Sequence, residues 1–151
     1  MKKTILSIAA VLMMGFSVFA AKDDEKDINQ SVVRSFHQEF VNAKNIKWEQ
    51  KTDFVKVQFS LNDQVLFAYY DNDGKLTAIV RNIISDQLPI SLLTSLKKEY
   101  TGYWISELFE LASNDQTTYY VTLENADKKI VLRSLGVDSW DVYSKTRKSA
   151  E

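Results

Sequence analysis

Apolar residues recur along this chain in two rhythms, and the two rhythms follow one another twice. Val33, Phe36 and Phe40 are spaced by three and four, the stripe of an amphipathic helix. From Ile46 the period changes to two. Val55, Val57 and Phe59, then Val65, Phe67 and Tyr69, alternate with intervening residues as in strands that pack one face. Leu92, Leu96 and Tyr100 restore the helical spacing, and Ile105, then Tyr119, Val121 and Leu123, then Ile130 and Leu132, return to alternation. Phe36 and Leu96 lie 60 residues apart, as do Phe40 and Tyr100, whereas Val57 and Val121 lie 64 apart, a slip that loop length accounts for. Self-similarity at a fixed period constrains architecture more than any single motif. It predicts an α+β fold: two tandem helix-plus-antiparallel-meander repeats forming one two-layer domain, with the helices on one face of the sheet.

Polar punctuation sets the boundaries. Asn29 to Ser31 can cap the first helix, and Asn42 to Asn45 ends its pattern. Leu61-Asn62-Asp63-Gln64 reads as a hairpin connection. Asp71-Asn72-Asp73-Gly74 is a strong turn signal, because Asp-Gly readily supplies positive φ. Leu76 to Ile83 completes the first copy as a third strand. The second copy opens at Ser85 or Asp86, with Pro89 tolerated in the first helical turn and Gly102 placed for a left-handed residue past the helix end. Trp104 to Leu111, Thr118 to Glu124 and Lys129 to Ser134 then read as strands. The repeats are residues 29–84 and 85–143, and the polar stretch 144–151 is expected to fray.

Residues 1–20 look like a targeting segment. Lys2 and Lys3 precede a mostly apolar run from Ile5 to Phe19, with Val18-Phe19-Ala20 as a small-residue cleavage site. A membrane span needs about 20 apolar residues, and this run is shorter. The expectation is therefore export to the periplasm by a cleaved signal, with no membrane insertion afterwards. Residues 21–28 are expected to be a flexible, charged, solvated leader. Without residues 1–20 the chain keeps 17 of its 19 basic side chains and all 20 acidic ones, a mildly acidic balance with no footprint for nucleic acid. There is no cysteine, which excludes lipid attachment through cysteine and leaves the fold to its apolar core.

Candidate chemistry is sparse. His37 is the sole histidine, and no sequence neighbour offers it a nucleophile or an orienting partner. No cysteine nucleophile or G-x-S-x-G elbow exists, and zinc sites built from Cys and His cannot be assembled. Only Gly74, Gly102 and Gly136 remain after residue 20, none in a phosphate-cradling loop. Asp71 and Asp73 suggest calcium, the runner-up reading of a calcium-responsive envelope protein. The EF-hand register fails, since Tyr69 and Val80 would have to be ligands. No cofactor and no enzymatic activity are expected.

Aromatic residues carry the remaining signal. Phe36, Phe40, Phe59, Phe67 and Tyr100 take core-facing positions, but Phe54, Tyr70 and Tyr120 fall on the opposite parity of their strands. Alternation would place those three on the solvent face of the sheet, beside Lys56 and Arg133. Grouped aromatic and basic residues are the composition of a protein-binding surface. The expected site is thus Phe54, Lys56, Tyr70, Tyr120 and Arg133, taking a protein or peptide in the cell envelope.

Three stretches carry a family resemblance: Val33-x-x-Phe36-x-x-x-Phe40-x-x-Ala43-x-Asn45-Ile46-Lys47-Trp48, Phe67-Ala68-Tyr69-Tyr70-Asp71-Asn72-Asp73-Gly74-Lys75-Leu76, and Gln87-Leu88-Pro89 ahead of Ser95-Leu96-Lys97-Lys98-Glu99-Tyr100. Over roughly residues 30–143 the chain resembles the PepSY-like, β-lactamase-inhibitor-protein-like periplasmic proteins of Bacteroidetes. The resemblance implies tandem helix-plus-sheet units, a curved sheet, a periplasmic location and no enzymatic role. In inhibitors of this fold the open sheet face grips a partner, and PepSY-type modules are associated with binding or inhibiting peptidases. Val41 stands where the family pattern has proline, and no inhibitor loop motif is recognisable.

Overall fold

A computed structural model describes residues 23–149. Two 10-residue helices, α1 (Gln30–Glu39) and α2 (Ile90–Glu99), each precede four strands. The strands are β1 (Lys44–Gln50), β2 (Val55–Leu61), β3 (Gln64–Tyr70) and β4 (Leu76–Asn82), then β5 (Trp104–Ser113), β6 (Gln116–Glu124), β7 (Lys128–Leu135) and β8 (Ser139–Arg147). All eight form one antiparallel sheet in sequence order. Each repeat therefore has a strand that the hydrophobic pattern did not delimit. β1 offers only Ile46 and Trp48 as large apolar residues, and β8 runs through residues 144–147, which were expected to fray.

The duplication extends to detail. A short 3₁₀ turn precedes each helix, at Glu25–Asp27 and Ser85–Gln87. Both two-residue hairpins are Asn-Asp with positive φ throughout, Asn62 and Asp63 in one, Asn114 and Asp115 in the other, as tight hairpins favour. The register shifts early in β1, between Lys44 and Lys47, and again early in β5, between Ile105 and Glu107. A second pair of shifts puts Thr77 of β4 and Tyr143 of β8 at bulges. Asn29 caps α1 by accepting from the Ser31 amide at 2.9 Å. Ser85 and Asp86 belong to the 3₁₀ turn rather than to α2, whose flanking residue is Pro89.

Both helices pack on one side of the sheet. Val32, Val33 and Phe36 of α1 pack on Trp48, Val55, Val57, Phe59, Ala68 and Tyr70, and Leu96 of α2 packs with Leu108, Val121, Leu123, Ile130 and Leu132. The residues expected to form a solvated leader are docked from Asp23 onward. Ile28 is buried, the Asp23 amide donates to the Trp48 carbonyl at 3.2 Å, and the Trp48 indole donates to Glu25 Oε2 at 3.2 Å. The stretch 1–20 lies outside the described residues. No helix among the described residues is long and apolar enough to cross a membrane.

Candidate functional site

The helix-free side of the sheet carries its own apolar cluster of Phe67, Tyr69, Ala78, Val80, Phe109, Leu111, Tyr120 and Val131, with Phe54 and Tyr143 against it. These residues come from six adjacent strands and from the turn before β2. No helix or strand among the described residues lies over them, yet the cluster is buried. The rings therefore shelter one another from solvent.

Ring geometry fits that account. Phe109 stacks on Tyr120 at 5.1 Å and 12°, and Tyr143 meets Tyr120 edge-on at 5.8 Å. Phe54 lies 5.9 Å from Tyr69. Cations border the aromatics on both flanks: Lys56 Nζ is 5.2 Å from the Phe67 centroid and Arg133 is 5.6 Å from Tyr143. Each cation also has a carboxylate, Glu49 at 3.9 Å from Lys56 and Asp141 at 3.2 Å from Arg133. Burial lowers the Lys56 ammonium below its ordinary pKa against the opposing pull of Glu49, and burial raises the Tyr120 phenol. The face thus offers an apolar centre and two borders able to satisfy charge.

Four of the five expected surface residues share this face. Phe54, Lys56, Tyr120 and Arg133 do so, joined through the pairs Lys56↔Tyr69 and Tyr120↔Arg133. Tyr120 is nevertheless only 4% exposed, sheltered between Phe109 and Tyr143. Tyr70 is a correction. It pairs with Val55, is 0% exposed under α1, and donates its hydroxyl to Glu39 at 2.6 Å. Strand β3 reads Phe67-Ala68-Tyr69-Tyr70, apolar on both parities, so its period marks no inner face. Register with Val57 and Val55 turns Ala68 and Tyr70 toward the helix and Phe67 and Tyr69 away from it. Sequence reading accordingly missed Tyr69, Phe109, Val131 and Tyr143 as parts of this surface, and put Phe67 on the wrong side. The available signal was apolar residues on both parities of β3 and β5, the mark of a strand buried on both faces.

Asp71 Oδ1 accepts from the amides of Asp73 at 3.0 Å and Lys75 at 2.9 Å, closing the β3–β4 turn. No group of three His, Cys, Asp or Glu side chains suited to a metal comes together among the described residues. His37 lies 3.3 Å from Glu25 and edge-on to Phe36, at a corner of the packing under α1.

No family model matches the chain, and no curated protein does. Solved structures do. A DUF2874 family protein from Bacteroides ovatus superposes with a TM-score of 0.70 at 12% identity, covering 80% of this chain and 87% of its own. A protein from Bacteroides eggerthii, provisionally described as periplasmic, gives 0.68 at 12% identity over 80% and 88%. A BLIP-like protein from Bacteroides fragilis gives 0.67 at 20% identity over 85% and 94%. The chain shares the fold of these DUF2874 and BLIP-like proteins of Bacteroides.

Proposed function

We propose that this protein is a non-catalytic binding module of the periplasm whose helix-free sheet face takes a protein or an extended peptide, in the manner of an inhibitor. The observation that carries this reading is the half-buried border of Phe54, Tyr143, Lys56 and Arg133 around the buried rings of Phe67, Tyr69, Phe109 and Tyr120, on a face that no helix or strand covers among the described residues. Aromatic anchors ringed by basic groups are what binding hot spots use. A catalyst would instead need a base within reach of a nucleophile. The fold shared with a BLIP-like protein and with a protein described as periplasmic supports both the mode of action and the compartment.

The test compares two variants as immobilised baits in periplasmic extract. Arg133→Ala with Tyr143→Ala alters the border of the helix-free face, and Lys97→Ala with Lys98→Ala alters exposed residues of α2. The first is expected to lose at least about tenfold of the protein retained by the parent, a loss of the size hot-spot residues produce, and the second to retain it. Equal retention by both would remove the helix-free face as the binding surface.

A further inference from the structure

The two outer edges of the sheet are copies of the two strand edges that already meet at its centre. β4 joins β5 through the pairs Ile79↔Ala112, Val80↔Leu111, Arg81↔Glu110 and Asn82↔Phe109. The Ile83 amide donates to the Leu108 carbonyl at 3.1 Å, and Arg81 holds Glu110 through two hydrogen bonds of 2.9 and 3.0 Å. By repeat position β1 corresponds to β5, with Trp48, Glu49 and Gln50 in the places of Leu108, Phe109 and Glu110. With Val57 matched to Val121, the ladders match Phe67 to Val131 and so make β8 correspond to β4, with Ser144, Lys145 and Thr146 in the places of Val80, Arg81 and Asn82. The outer side of β1 is therefore an acceptor of the kind β5 presents to β4, and the outer side of β8 is a donor of the kind β4 presents to β5. No strand pairs with either outer side among the described residues.

Asp23 holds the acceptor in this structure. It stands 60 positions before Ile83, and its amide donates to the Trp48 carbonyl as that of Ile83 does to Leu108. Its carboxylate Oδ2 accepts from the Gln50 amide at 2.8 Å, the group in the place of the Glu110 amide. A side chain thus takes the place that the carbonyl of a paired strand takes beside β5. This is the covering of an edge that sheet proteins use against unwanted pairing.

The geometry points to a second copy of this chain as the partner of that edge: β8 of one molecule adds to β1 of the next, head to tail, reproducing the β4–β5 joint and displacing Asp23. In this register Thr146 faces Glu49 and Lys145 faces Gln50, in the places of the pairs Asn82↔Phe109 and Arg81↔Glu110. The bulge at Tyr143 is no obstacle, because β4 carries a bulge at Thr77 and still pairs with β5 beyond it. The two surfaces differ, so the contact is heterologous and propagates into chains rather than closing as a two-fold dimer. Only four pairs form the template, which makes the association weak and governed by concentration.

Disulfide trapping tests this cleanly because the chain has no cysteine. Gln50→Cys mixed with Lys145→Cys, and separately Glu49→Cys mixed with Thr146→Cys, are oxidised and resolved on non-reducing gels. The expected product in at least one pair is a mixed dimer, with each single variant alone remaining monomeric. A chain carrying both Gln50→Cys and Lys145→Cys is expected to give a ladder of multimers, and adding Asp23→Ala should raise the yield several-fold. Absence of a mixed dimer from both pairs would overturn the proposal. So would equal cross-linking of Gln50→Cys with Ser91→Cys on α2, or self-cross-linking of the single variants. An unchanged yield with Asp23→Ala would overturn the role given to that residue.

Discussion

The two repeats present nearly the same backbone with different fillings. Under α1 the core is aromatic: the Phe36 ring lies 5.0 Å from Phe59, 5.1 Å from Trp48 and 5.4 Å from Phe40, mostly edge-on. Under α2 the corresponding positions are aliphatic, with Leu96 for Phe36, Leu108 for Trp48 and Leu123 for Phe59. The shared element is the order of apolar positions rather than the identity of the side chains. Pattern selects the fold, and complementary volumes then fill it. Two rigid aromatic contacts are each worth about 0.5–1.5 kcal/mol beyond their buried area, so the first repeat has the less replaceable centre.

That difference is most exposed by truncating the two equivalent residues. Phe36→Ala is expected to cost about 3–5 kcal/mol and Leu96→Ala to fall lower in the range of about 2–5 kcal/mol for buried leucine, both read by urea unfolding. Equal losses would show that the aromatic contacts add nothing to area. The β3–β4 and β7–β8 turns give the next contrast. Gly74 has φ +88° and an added Cβ would sit 2.9 Å from the Ser31 backbone, whereas Gly136 at φ +69° has nothing within 4 Å. Gly136→Ala should cost about 1–2 kcal/mol for the left-handed conformation alone. Gly74→Ala should exceed it, because the turn is pressed against α1, where Asn29 Nδ2 also donates to the Asn72 carbonyl at 2.6 Å. Thermal midpoints of the two variants would decide it.

Much of this fold was legible because helix and strand periods differ and their order repeats. Asn29 as cap, the Asp71–Gly74 turn and the helix positions of Val33 and Phe36 all follow from local chemistry. What stayed hidden was decided between strands. β1 offers only Ile46 and Trp48 as large apolar residues, and β3 is apolar on both parities, so only its register with Val55 and Val57 settles which way Tyr70 points. The candidate surface was half legible for the same reason. Phe54, Lys56, Tyr120 and Arg133 were assigned to the correct face, while the sheltering that buries Tyr120 depends on Phe109 and Tyr143 of other strands, which a period cannot express.

Smaller effects sharpen the comparison further. α1 begins at a capping asparagine and α2 after a proline with no side-chain cap. Asn29→Ala should cost about 1 kcal/mol, and Pro89→Ala less than that, by chemical denaturation. The smallest effect concerns the rim of the second repeat, where Lys148 lies 2.8 Å from Glu124 and that hydrogen bond holds the Glu124 carboxyl below its ordinary range. A depressed carboxyl stabilises above its unfolded pKa, about 4.3, and that contribution is lost as pH falls through the folded value. Lys148→Ala should therefore flatten the acid side of the stability profile slightly, measured at low protein concentration. The first repeat has Ser60, not an acid, on the strand facing the start of β1, and predicts no counterpart.

The central claim is that the two copies form one uninterrupted sheet, since only then do Phe67 and Tyr69 of one repeat share a face with Phe109 and Tyr120 of the other. Cross-strand nuclear Overhauser contacts between β4 and β5 test it most directly. The account predicts backbone contacts linking Val80 with Leu111 and Asn82 with Phe109. Intact ladders within each repeat with no contact between β4 and β5 would contradict it.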